Sequence, residues 1–332
     1  MTRITLFVLI LLVLGGSLFA AIQFPKKEKP LLKKAPPPTR KGKGLIRFKL
    51  ASNKTYRKLT GKKARKPKPY PAWIRYPWLS KKLDYRNSVE KRISAPKGFQ
   101  RISVQQGSFA AWLRGLPLKP GRGSVRDYRG RLISDQRSHV GVVRIDVGRR
   151  DLQQCADATM RLRAEYLFSR KQFSKIHFKY TSGHAARYKL WRKGFRPQIR
   201  GNKVKWRKRT SPNTSYRSFR KYLNNVFMYA GTASLSRELA RVRVQNIKIG
   251  NIFVKGGFPG HAVIVLDIVR NPQTGQRRFL LAQSFMPAQN IHILRHPKTG
   301  SPWYPLNFGR TFSTPHWTFG KKHLRRFRYA PR

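Results

Sequence analysis

Apolar and polar positions divide this chain into three stretches with different periods. Residues 4–14 (Ile-Thr-Leu-Phe-Val-Leu-Ile-Leu-Leu-Val-Leu) form an almost unbroken apolar run. From Lys26 to about Lys97 no period is sustained, and prolines and lysines dominate. Beyond Ile93 helical and strand periods alternate up to Arg328. Within that last stretch, residues 107–115 predict a short amphipathic helix, stopped before Leu116-Pro-Leu-Lys-Pro-Gly, and Val140–Val147 reads as a β-branched strand. Asp151 predicts a helix cap, with Gln154 as its capping-box partner and the helix running to Phe168. Residues 184–194 and 216–229 predict two more helices, separated by a polar, basic loop over 196–217. Strands are expected at 252–254, 261–269 and 278–285, the last two joined by the turn Asn271-Pro-Gln-Thr-Gly275, and a further strand ends before Pro297. Helices first and a β-meander afterwards give an α+β class.

The three stretches predict a domain plan of 1–21, 22–94 and 95–332. The first, with Arg3 ahead of the apolar run and Ala20-Ala21 behind it, reads as a signal peptide or a membrane anchor. It places the protein outside the cytoplasm, in the periplasm or cell envelope, with membrane contact through residues 4–20. No cysteine follows the run directly, so lipoprotein processing is excluded. The second reads as an extended basic linker, because like charges repel and proline favours open chain.

Charge narrows the partners. Seventy-four Lys and Arg against eleven Asp and Glu give a net charge of +63. Such a surface attracts cell-wall or other anionic polymers; nucleic acid is the less favoured partner, since no nucleic-acid-binding signature accompanies the charge. The few acids are expected to neutralise buried arginines, with Asp157, Arg161 and Glu165 forming an i, i+4 ladder.

The single cysteine, Cys155, falls in the first turn of the helix predicted after Asp151. A helix start favours the thiolate, and an imidazole nearby can activate it. His261 opens the strongest strand, about a hundred residues on. Alternation puts His261, Val263, Val265 and Asp267 on one face, yet six strand residues separate Asp267 from His261 by roughly 20 Å, which excludes it as the orienting group. The neighbouring strand offers Gln283, Ser284 and Gln289, of which Gln283 is the chosen candidate; an amide suffices to hold a ring tautomer. Two competing sites are weak. Ser182 and His184 lack the Gly-x-Ser-x-Gly elbow, and His292 and His296, four strand residues apart, sit roughly 13 Å from one another, too far to share a metal. No cofactor-binding loop is present, so neither cofactor nor metal is expected.

Several strings resemble one bacterial family, the domain of unknown function 4846. They include Asp151-Leu-Gln-Gln-Cys155-Ala-Asp-Ala, Arg161-Leu-Arg-Ala-Glu165-Tyr-Leu, Pro259-Gly-His261-Ala-Val-Ile-Val-Leu-Asp267 and Leu281-Ala-Gln-Ser-Phe-Met-Pro-Ala-Gln289. In the order of its Cys-helix and His-strand the chain is also similar to NlpC-type and CHAP-type cell-wall peptidases, although it has Gly250-Asn251 where those enzymes carry Gly-Asp. That likeness implies a papain-like core, a Cys-bearing helix packed on an antiparallel meander. It implies Cys155 as nucleophile, His261 as base and an amide bond, in peptidoglycan, as the substrate. A non-catalytic envelope protein that holds anionic polymers through its basic surface is the alternative expectation.

Overall fold

The computed structural model describes residues 69–79 and 84–328; the signal or anchor of 1–21 and most of the 22–94 segment lie outside the described residues. The end of that segment is folded rather than linker-like. Ile74, Tyr76 and Val89 are buried, and the Tyr76 hydroxyl donates to the Trp112 carbonyl at 3.0 Å. Aromatic rings spaced through a basic stretch give it a place in the core.

Six helices are present among the described residues: α1 (Val89–Arg92), α2 (Phe109–Arg114), α3 (Cys155–Ser169), α4 (Tyr188–Arg192), α5 (Tyr216–Tyr229) and α6 (Thr232–Glu238). The strands are β1 (Gln100–Arg101), β2 (His139–Val142), β3 (His177–Lys179), β4 (Ala185–Arg187), β5 (Phe195–Arg200), β6 (Lys203–Lys208), β7 (Ala240–Arg241), β8 (Ile252–Lys255), β9 (His261–Arg270), β10 (Arg277–Gln283), β11 (His292–Leu294), β12 (Trp303–Pro305), β13 (Thr311–Ser313), β14 (Thr318–Gly320) and β15 (Leu324–Arg326). The main sheet runs β2-β11-β10-β9-β8-β15-β7, with β1 also on β9 and β12 also on β10, and its neighbours pair antiparallel. The α+β class is thus as expected.

β9 is the axis of the sheet. Its apolar run is buried from His261 to Val269, as a strand covered on both faces requires. Phe253 of β8 and Phe279 of β10 lie beside it, and both rings contact Phe312 of β13, at 4.8 and 5.6 Å between centroids. The turn expected at 271–275 forms because the Asn271 carboxamide accepts from the amides of Gln273 and Thr274.

Three expectations change. The 196–217 loop is mostly a hairpin, β5 with β6, whose partly buried Ile199, Val204 and Trp206 alternate with exposed cations; the density of charge hid a two-residue period. The helix expected from His184 is two pieces, strand β4 and then α4, since Ala186 pairs with Phe178 before the chain turns helical. The strand expected over 140–147 is confined to β2.

Asp267 holds a buried charge cluster at the centre of the sheet. Its fully buried carboxylate accepts from Arg114 Nε at 2.6 Å and Arg101 Nε at 2.7 Å, tying α2 and β1 to β9. The pairing register of β9 and β10 slips by one between Leu280, opposite Asp267, and Leu281, opposite Val265. Adjacent residues of β10 point to opposite faces, so the slip takes Asp267 off the face it was expected to share with Val265 and His261. We expect Asp267→Asn to cost about 3–5 kcal/mol in urea unfolding, because it leaves Arg114 charged and unpaired inside. A loss under about 1 kcal/mol would show that water reaches the pair.

Candidate functional site

The helix that carries the cysteine starts later than expected. Gln154, not Asp151, is the N-cap of α3, and Cys155 is its first residue. The Asp157 carboxylate accepts from the Gln154 amide at 3.1 Å and closes the capping box. Asp151 instead clamps the approach to the helix: its Oδ1 accepts from the Ala288 amide at 2.7 Å and from Gln154 Nε2 at 3.0 Å. Ser284, just past β10, has its hydroxyl 2.9 Å from the Gln153 carbonyl and 2.8 Å from that of Gln289. The start of α3 is therefore fastened to the segment that follows β10.

The ladder expected along α3 is only partly built. Arg161, fully buried, pairs with Glu165 at 3.3 Å and with Asp146 at 2.6 Å, while Asp157 serves the cap. The Glu165 carboxylate also accepts from the Tyr216 hydroxyl at 2.7 Å, which docks α5 on α3.

The Cys155 thiol is 7 % exposed and faces the backbone amides of Ala262, Ala156 and Cys155 itself. Those donors favour a thiolate, as does the helix start. Burial and the neighbouring Asp157 outweigh them and push the thiol up to about 11. The expected low-pKa thiolate is therefore not the resting form. Burial pushes the Asp157 carboxyl well above the usual carboxylate range.

His261 and Gln283 meet directly, 2.8 Å apart between Nε2 and Oε1. The register slip between β9 and β10, which skips Leu266 of β9, makes the meeting possible. Continued past Ala282 opposite Ile264, it sets Gln283 against Val263, on His261's side of the sheet. The proton positions follow from one backbone carbonyl. Asn290 C=O can only accept, so His292 Nδ1, 2.9 Å away, carries the hydrogen. Burial holds His292 neutral, lowering it to about 3, so its Nε2 is an acceptor. Gln283 therefore turns its NH2 toward His292 Nε2 (3.3 Å) and His316 Nδ1 (3.0 Å), and its Oε1 toward His261. His261 then donates through Nε2–H and keeps a lone pair on Nδ1. Burial lowers His261 to about 4, so the ring is neutral. Phe285, Trp317 and Phe319 pack around it, with ring centroids 5.0, 5.4 and 5.9 Å away.

The structure thus brings His261 and Gln283 into contact, and brings Cys155 to the same segment through the Ala262 amide; no hydrogen bond joins the thiol to a His261 nitrogen. Of the other orienting candidates, Ser284 is spent on backbone carbonyls, and Gln289 Oε1 is buried without a partner. Ser182 and His184 lie 3.3 Å apart at an exposed turn. His292 and His296 are separately engaged, His296 by the amides of Lys298 and Thr299, and no metal-binding group of three or more His, Cys, Asp or Glu occurs among the described residues. Sequence reasoning missed His316 and Asp135, which extend the network by a 3.2 Å contact between His316 Nε2 and Asp135 Oδ2. A cavity of about 560 Å³, lined by Leu132, Asp135, Phe285, Met286, His292 and His316, opens beside this network.

The antiparallel sheet and the helices on it define the class of protein: α+β. The chain belongs to the family described as a domain of unknown function (4846), whose family model matches residues 89–326. No curated protein and no solved structure matches it.

Two measurements test these protonation states. Because His261 is held down to about 4 from an ordinary 6.5, it adds stability above pH 6.5 that is lost as pH falls toward 4, up to about 3 kcal/mol. Unfolding followed from pH 7 to 4 should show that loss together with the one from His292, lowered to about 3, and His261→Gln should remove about half of the total; an unchanged slope would place the titration elsewhere. Iodoacetamide should label Cys155 of the folded protein at pH 7 on the order of a hundredfold more slowly than a free thiol, with the rate climbing as pH rises toward 11. Labelling at the free-thiol rate would contradict the burial.

Proposed function

We propose that this protein is an exported cysteine hydrolase with a papain-like core that cleaves an amide bond in peptidoglycan. One observation carries the reading: the Gln283 carboxamide holds His261 with Nε2 protonated and Nδ1 unoccupied, next to the residue whose amide faces the Cys155 sulfur. A neutral imidazole with a free nitrogen is a general base, and a neutral thiol is its substrate.

In this mechanism His261 Nδ1 takes the thiol proton as the sulfur attacks the scissile carbonyl. The imidazolium gives that proton to the leaving amine, and water then releases the acyl group from sulfur by the reverse transfers. The Gln283 carbonyl oxygen accepts from Nε2–H throughout and stabilises the positive ring. Because thiol and imidazole both rest neutral, activity depends on a substrate that closes the site; catalytic hydrogen bonds often tighten only in the substrate complex. The net charge of +63 supports an envelope substrate with anionic groups.

The test is digestion of purified peptidoglycan by the full chain, with released fragments identified by mass spectrometry. Cys155→Ala should abolish release, His261→Ala should lower it by at least about a thousandfold, and Gln283→Ala by roughly ten- to a hundredfold through the lost tautomer control. If the wild type binds peptidoglycan in a salt-sensitive way and releases nothing, and Cys155→Ala binds equally, the binding role replaces the hydrolase.

A further inference from the structure

A cavity of about 1030 Å³ lies apart from the Cys155 and His261 site. It opens beside Gly250, whose amide donates to the Val265 carbonyl at 2.8 Å, four residues along β9 from His261 and so roughly 13 Å away. Gly250 has φ +86°, and a Cβ there would come within 2.7 Å of the Phe109 ring. A glycine is needed for that ring to lie against the backbone as part of the cavity wall.

The charged residues of the lining are all cationic. Six cations border the cavity, Arg163, Arg241, Arg243, Lys248, Arg277 and Arg326, and no Asp or Glu does. Arg163 stacks on Phe109 and Phe327; none of the other five has a carboxylate partner. Buried Arg114 and Arg161, by contrast, are paired with Asp267 and with Asp146 and Glu165. Arg277 is held in place by two backbone carbonyls, Gln245 and Ile247, both at 2.9 Å, and these fix the guanidinium without neutralising it. Desolvation and the nearby Arg270 lower Arg277 from its ordinary value. A concave wall with one fixed guanidinium and exposed cations around its rim, and no carboxylate, suits an anion. Arginine forks match tetrahedral oxyanions in pairs of hydrogen bonds.

We propose that this cavity binds phosphate groups, two or more charges at a time, on a phosphate-bearing ligand. Free oligophosphate and a phosphodiester polymer share that chemistry. The site acts independently of Cys155, so it holds whether or not the protein is a hydrolase.

Calorimetry on the full chain tests it, with inorganic tripolyphosphate and a short phosphodiester oligomer as probes and citrate as the carboxylate control. We expect saturable one-to-one binding of at least one phosphate probe. The double variant Arg243→Ala/Arg326→Ala should weaken it by about tenfold or more. Both side chains are exposed at the rim and make no hydrogen bond, so the fold should survive. The control Lys203→Ala/Lys205→Ala removes the same charge from the β5–β6 hairpin and should change affinity less than about twofold. Cys155→Ser should bind like the wild type. The tighter phosphate probe identifies the source of the ligand. Equal losses in the two double variants would reduce the binding to diffuse charge and overturn the site, as would citrate binding at least as tightly as both phosphate probes.

Discussion

The carboxylate of Asp267 is the constraint on which the fold depends. It sits fully buried in the central strand and takes both Arg101 and Arg114, so one negative charge anchors β1 and α2 against β9. In a chain with so few acids, a buried carboxylate that satisfies two guanidinium groups leaves no spare neutralisation. Its position opposite Leu280, one residue before the register slips, also decides which residues of β10 face His261. The charge pair and the geometry of the site thus belong to the same hairpin.

The site itself is ordered by a chain of hydrogen bonds with one possible sense. It starts at the Asn290 carbonyl, passes through His292 and the Gln283 carboxamide, and ends with the lone pair on His261 Nδ1. Each link is decided by the one before, and only the first is a backbone group that cannot reverse. Buried polar networks of this kind contribute specificity when every member is satisfied.

Much of this was legible in the sequence, and the failures have physical causes. The helix at 216–229 stood out because its apolar period is clean, and the β9–β10 hairpin because Asn271 and Gly275 mark its turn. Cys155 and His261 could be singled out as the lone thiol and a histidine opening an apolar strand. Gln283 could be picked as the partner of His261 only by a guess at the register, since a one-residue slip has no signature among the similar apolar residues Phe279-Leu-Leu-Ala. The thiol's protonation was misjudged because the helix-start effect is local and visible in sequence, whereas burial is a property of the assembled fold. His316 and Asp135 come from segments 181 residues apart and carry no shared pattern. The hairpin over 195–208 was hidden by its own lysines and arginines.

The protonated, enclosed state of Cys155 has a consequence for its chemical lifetime. Oxidation to sulfenic acid and beyond proceeds through the thiolate and needs access for the oxidant. A thiol held up to about 11 and almost wholly covered offers neither at neutral pH. With no second cysteine in the chain, an oxidised sulfur could not be rescued by an internal disulfide. Keeping the sulfur as a covered thiol is therefore a form of preservation: the group remains intact in an oxidising setting until something opens the site.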